Sequence, residues 1–113
     1  MMFAVHVTVQ VRPECREEFL SAIDTAARIA VRDEPGCHLF DVTEIDPSSN
    51  TFAFYELYTD AEAVEAGHRR SPHFRAWRQV ADRVLVPGSQ VTASGALLVT
   101  ARKSDRVQFG ESR

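Results

Sequence analysis

A chain of 113 residues has room for one hydrophobic core and no second domain. Its apolar fraction of 44% and charged fraction of 26% are ordinary for a globular protein, and a net charge of -3 gives nucleic acid no electrostatic hold. No apolar run approaches the roughly 20 residues of a membrane span, there is no basic start with an apolar stretch to make a secretion signal, and Cys15 and Cys37 form neither a disulfide framework nor a metal-binding CxxC, so a cytoplasmic protein with reduced core thiols is expected.

Residues 3–11 alternate, with Phe3, Val5, Val7, Val9 and Val11 on one face and Ala4, His6, Thr8 and Gln10 on the other, which predicts a strand. Pro13 opens a helix with Glu14, Glu17 and Glu18 near its positive end, and Cys15, Phe19, Ile23, Ala26 and Ala30 give it one apolar stripe. Pro35-Gly36 marks a turn. Residues 37–46 and 51–58 read as two strands, joined as a hairpin by the turn residues DPSSN. Thr59 and Glu62 have the spacing of a capping box, and Ser71-Pro72 is a second helix start. A helical region over 60–86, broken at 69–71, follows from these signals, with Trp77 and Val84 on its stripe and Pro87-Gly88 at its end. A fourth strand is expected over 90–100, with Ser94-Gly95 as a candidate bulge. Residues 101–113 read as a polar, mobile tail that Phe109 could anchor on a partner, leaving one domain over 1–100.

The order β-α-β-β-α-β is the ferredoxin-like arrangement: an α+β fold with a four-stranded antiparallel sheet and both helices on one face. The mixed Ala4/His6/Thr8/Gln10 face then needs cover, and a second copy of the chain supplies it most simply, so a homodimer is expected.

The segments VRPECREEF, EPGCHLFDV, DPSSNTFAFYELYTDAEAVEAGH and RRSPHFRAW, in this order, resemble the antibiotic biosynthesis monooxygenase family of dimeric α+β barrel proteins over about residues 3–100. The YELYTDAEAV...H...SPHF run looks most like the quinol monooxygenase and quorum-signal isomerase branches. The haem-degrading branch fits poorly. Arg78 stands where its members have a helical histidine, His68 where they have a pocket tryptophan, and Val7 near their strand-one asparagine. The resemblance implies a cofactor-free monooxygenase that oxidises a quinol or an aromatic polyketide-type, polycyclic phenol with O2. The alternatives are an isomerase of a small phosphorylated carbonyl compound, with Arg69 and Arg70 on the phosphate, or a non-catalytic module that binds a small ligand.

The residues that could carry such chemistry lie between Tyr55 and Trp77. His68 and His73 flank the helix break and are the candidates for general base or hydrogen-bond donor, since a neutral imidazole titrates near working pH; each could equally support the break itself. Glu56, among the aromatics of its strand, needs a partner or a raised pKa, and is expected to orient a histidine or to tie sheet to helix. Phe54, Tyr58, Arg69 and Trp77 are the candidate substrate contacts. Tyr55 and Tyr58 face opposite sides, so only one can serve. His6 should face the partner, and His38 has no assigned role. No metal is expected, because His68 and His73 are five residues apart across a break and no HxH or HxxxH pair occurs. No glycine-rich phosphate loop suggests a nucleotide cofactor.

Overall fold

The computed structural model describes residues 1–103. All but the first three residues of the expected tail, Phe109 included, lie outside them. Strand β1 (Phe3–Gln10) is followed by a single 3-10 turn at Pro13–Cys15 and helix α1 (Arg16–Asp33). The hairpin β2 (Cys37–Asp46) and β3 (Thr51–Tyr58) comes next, then a π-helical segment Ala63–His68, helix α2 (Pro72–Val84) and strand β4 (Val91–Ala96). The sheet order is β2-β3-β1-β4, every pair antiparallel, with helices on one face: the ferredoxin-like α+β fold.

From Val5 onward the period-2 pattern of β1 does what it predicts, while Ala4, expected on the mixed face, is buried and Phe3 only partly so. Val5, Val7 and Val9 are buried against the helices while His6, Thr8 and Gln10 stay exposed. Phe19, Ile23, Ala26 and Ala30 of α1 and Trp77, Ala81 and Val84 of α2 close the core over Phe52, Phe54 and Tyr58 of β3. Cys37 is part of this core, and burial, with the charges of Glu34 and Glu56 nearby, pushes its thiol up to about 11. The β2–β3 turn is set by Asp46, which accepts the Ser48 amide at 3.0 Å, and by Asn50 in the left-handed region at φ 53°. Among the described residues no helix is long and apolar enough to cross a membrane.

Three local expectations change. The capping box does not form. Asp60 Oδ1 accepts the Ala63 amide at 2.9 Å, while the Thr59 hydroxyl is engaged by His38 Nε2 at 2.7 Å. Asp caps as well as Thr does, and the helical turn starts one residue later. The strand β4 is shorter than expected and carries no bulge, because its register against β1 runs unbroken from Phe3↔Ala96 to Thr8↔Val91. The short helix before the break is a π-helix, with the Arg69 amide reaching back five residues to the Val64 carbonyl at 2.9 Å. This widened turn packs against Gly36, where an added Cβ would stand 2.6 Å from the Cβ of Ala63. Gly36 is therefore required by close approach.

Candidate active site

Helix α1 ends because Pro35 holds the residue before it out of the helical region. Glu34 adopts φ -93° and ψ 113°, its amide still bonded to the Ala30 carbonyl at 2.9 Å. One helical turn beyond Ala30, Glu34 continues the buried stripe of α1, and its side chain runs under the π-helical segment, where it is buried. There it meets two imidazoles. His68, the last residue of the π-helix, presents Nδ1 to Glu34 Oε2 at 2.9 Å. His73, the second residue of α2, presents Nε2 to the same oxygen in a short contact. Ser71 fixes the connection between the two rings: its hydroxyl accepts the Phe74 amide at 3.1 Å and donates to the His68 carbonyl at 2.6 Å.

A second carboxylate lies on the opposite side of His68. Glu56 is buried on β3; Tyr58 donates to its Oε1 at 2.6 Å, and the same oxygen is 3.9 Å from His68 Nε2. The side chains thus form a continuous buried row, Tyr58–Glu56–His68–Glu34–His73. The two carboxylates respond to it in opposite directions. Burial acts most strongly on Glu34, upward, but the hydrogen bonds and charges of His68 and His73 together outweigh it and hold its carboxyl below the usual range. On Glu56 burial prevails over the Tyr58 hydrogen bond and pushes the carboxyl up. Burial beside Glu56 likewise pushes the Tyr58 phenol up, so Tyr58 stays a hydrogen-bond donor.

His68 and Glu56 border a cavity of about 70 Å³ between the sheet and the helices. Its wall is aromatic, with Phe40, Phe54, Phe74 and Trp77, and its rim holds Arg69, Arg78, Gln90 and Thr92. The Phe74 ring lies edge-on to His68 at a centroid distance of 5.0 Å, and Trp77 lies edge-on to Phe54 at 6.0 Å.

Of the residues expected from sequence, His68, Glu56, Phe54, Arg69 and Trp77 meet at this cavity. Two do not. His73 lies outside the cavity and borders open grooves with Asp33, Pro35 and Gly36 on one side and Trp77 on the other. Tyr58 is fully buried outside the cavity lining and acts on Glu56 from behind. Arg70 does not border the cavity either; its carbonyl accepts from Arg75. Glu34, the hub of the site, was absent from the expected set, although the spacing 19-23-26-30-34 places it on the core stripe.

The histidine spacing alone argued against a metal, yet Glu34 brings His68 and His73 within reach of one point, the three donor atoms lying within 4.8 Å of one another. Both ring nitrogens that face Glu34 are engaged by its Oε2, so the trio is closed as a hydrogen-bonded cluster. Glu34 Oε1 is buried with no hydrogen-bond partner among the described residues, which leaves one acceptor for a further donor.

The family model for antibiotic biosynthesis monooxygenases matches residues 2–80, well over half the chain. The chain belongs to the antibiotic biosynthesis monooxygenase family. A Bacillus subtilis relative named "Putative monooxygenase YcnE" is 33% identical over 76 residues, which cover 67% of this chain and 78% of the relative. The uncharacterised protein sll1783 of Synechocystis is 25% identical over 83 residues, 74% of this chain; the match spans only 55% of that relative's length. Among solved structures, Rv0793 from Mycobacterium tuberculosis superposes with a TM-score of 0.77 at 24% identity, covering 90% of this chain and all of that one (100%). A family member from Caulobacter crescentus gives 0.79 at 22%, covering 87% and 91% of the two chains. These structures share the fold. The family match ends at residue 80, after the whole Glu34–His68–His73 cluster and Arg78, and before β4.

Proposed function

We propose that the protein is a cofactor-independent monooxygenase that oxidises a quinol or related phenol with O2, and that it works as a homodimer. The observation that supports this reading best is the Glu34–His68 pair at the wall of an aromatic cavity. With Glu34 Oε2 accepting from Nδ1–H at 2.9 Å, a neutral His68 keeps Nε2 as the basic nitrogen, in the manner of a carboxylate–imidazole dyad. On the far side Glu56, pushed toward its protonated form, offers an acid 3.9 Å from that nitrogen.

The reaction then balances without an added redox group. His68 Nε2 takes the phenol proton. The phenolate forms a bond from a ring carbon beside the oxygen to O2, so the ring is oxidised and O2 is reduced to a ring-bound peroxide. Glu56 protonates the outer oxygen and then takes the hydrogen of that ring carbon as a proton. The O–O bond breaks, a carbonyl forms, and the departing hydroxide leaves as water with the proton that His68 held. One phenol O–H, one ring C–H and one O2 enter; two ring C=O groups and one water leave. The aromatic wall keeps the peroxide dry.

The homodimer rests on the open sheet face. The His6 and Tyr55 rings lie there tilted against each other, 5.1 Å between centroids, and all six residues of β4 are exposed. The isomerase reading asks Arg69 and Arg70 to hold one phosphate together, and only Arg69 borders the cavity. The test is oxygen uptake with simple quinols by protein dialysed against a chelator. Wild type should consume O2, and His68→Ala should lose roughly 10²-fold or more, the scale of a general base. Absence of uptake, or uptake that vanishes with chelation, would overturn the reading.

A further inference from the structure

We propose that the cavity selects a single-ring phenol carrying a carboxylate, with its phenol end at His68 and its carboxylate held by Arg69 and Arg78. Which end of the ligand meets His68 rests on the monooxygenase reading; the preference for an anionic single ring does not.

Size is the first ground. A volume of about 70 Å³ holds roughly five to seven waters at ~10–15 Å³ each on this scale, and those waters occupy roughly 150–200 Å³ of liquid, the space of one substituted aromatic ring. Two fused rings with substituents exceed it. The walls suit a flat ring, since Phe40, Phe54, Phe74 and Trp77 surround the space.

Charge is the second ground. The two ends of the cavity are electrically opposite. The inner end has the Glu34 carboxylate directly behind His68, and no cationic arginine borders it. The rim carries Arg69, at the end of the π-helical segment, and Arg78, in the middle of α2. An anionic group is repelled from the inner end and drawn to the rim, so the charge pattern both selects and orients the ligand. The two guanidiniums are available for this. Arg69 is bonded to Glu65 at 2.7 Å, and Arg78 to Gln90 Oε1 at 2.8 Å, with Asp82 at 3.6 Å. These contacts are half-exposed and individually weak. Each fork has five N–H donors, so a carboxylate can be added or exchanged in. Gln90 and Thr92 complete the rim with neutral polar groups.

The chain contains one tryptophan, Trp77, and it borders the cavity, so its fluorescence reports occupancy directly. Three probes should be titrated into the purified protein: hydroquinone, 2,5-dihydroxybenzoate, and 1,4-dihydroxy-2-naphthoate. The single-ring acid should bind at least tenfold more tightly than either hydroquinone or the two-ring acid. Arg78→Gln and Arg69→Gln should each lose about tenfold for the acid and leave hydroquinone unchanged, while Arg70→Gln should change neither. Equal affinity for hydroquinone and its acid, tighter binding of the two-ring acid, acid binding indifferent to both rim variants, or no saturable quenching by any probe would each overturn the proposal. Binding of the acid without oxygen consumption would leave the clamp standing and remove the monooxygenase reading. Oxygen consumption with neutral polycyclic quinols and no preference for the acid would do the reverse.

Discussion

Glu34 carries its charge at the C-terminal end of α1, where the helix dipole already disfavours an anion. Two imidazole rings answer that charge, and in the proposed reaction this gives Glu34 the task of positioning His68. In Glu34→Gln the amide oxygen can take the place of Oε2 between the two rings, but the charge is gone and the NH2 is buried where Oε1 has no partner among the described residues. Turnover should fall roughly 10–100-fold, as for other partners that orient a working histidine, and the melting temperature should drop by several degrees; wild-type values for both would show that the pair is incidental. His73→Ala, outside the cavity, should cost less activity than His68→Ala. Glu56 makes a prediction of the opposite sign. Its folded pKa is raised above the usual 4.5, so below pH 4.5 it is protonated in both states and costs nothing. As pH rises from 4.5 through its folded value, only the unfolded chain releases the proton, and stability falls. Glu34, with a lowered pKa, contributes stability that is present above pH 4.5 and lost as pH falls through its folded value. Glu56→Gln keeps the acceptor for Tyr58 and removes the charge. Denaturant titrations from pH 4 upward should show this variant gaining on wild type as pH rises, with the acid-side loss retained. A difference that stays constant with pH would remove burial as the cause of the shift.

At the scale of elements, what was legible followed from chemistry that repeats along a chain. Alternation gave β1 to within one residue of its end, the DPSSN turn set both hairpin strands at their observed bounds, and Ser71-Pro72 located the start of α2, because caps and turns are local side-chain-to-backbone events. The π-helical segment was not legible: its hydrogen bonds skip five residues instead of four, and no side-chain pattern over six residues separates the two. Yet that segment is what carries His68 to the buried end of Glu34. Glu34 itself hid for another reason. Its spacing belonged to the core stripe, but a carboxylate beside Pro-Gly reads as the solvent side of a turn, and its partners lie 34 and 39 residues away. The end of β4 was overread because Leu97–Val99 are apolar enough to continue a strand, while Leu98 and Val99 are exposed in the single chain.

The whole molecule has one finished face and one unfinished one. Helices cover one side of the sheet; the other presents His6, Thr8, Gln10 and Tyr55 beside a β4 whose residues are all exposed, Val91 at 65% among them. A self-complementary, two-fold contact over this face would remove the apolar part of it from water at the usual scale of roughly 800 Å² per partner. Sedimentation at micromolar concentration should therefore give about twice the 12.7 kDa chain mass, and Val91→Lys should shift the equilibrium toward monomer. A monomer at the highest soluble concentration would remove the dimer and leave the β4 edge without an explanation.

The contact between Gly36 and Ala63 has a consequence for how this sequence can drift. Gly36 does not occupy a left-handed conformation, so the space taken by Ala63 is what forbids a side chain there. Gly36→Ala alone should lower the melting temperature by pushing the π-helical segment, and His68 with it, off Glu34. Adding Ala63→Gly should restore part of both stability and oxygen uptake, beyond the sum of the two single changes. Failure of the pair to outperform that sum would mean the turn yields elsewhere. If the pair does recover, two positions 27 residues apart are inherited as a unit: a lineage can move the methyl group from one side of the contact to the other, but cannot keep it on both.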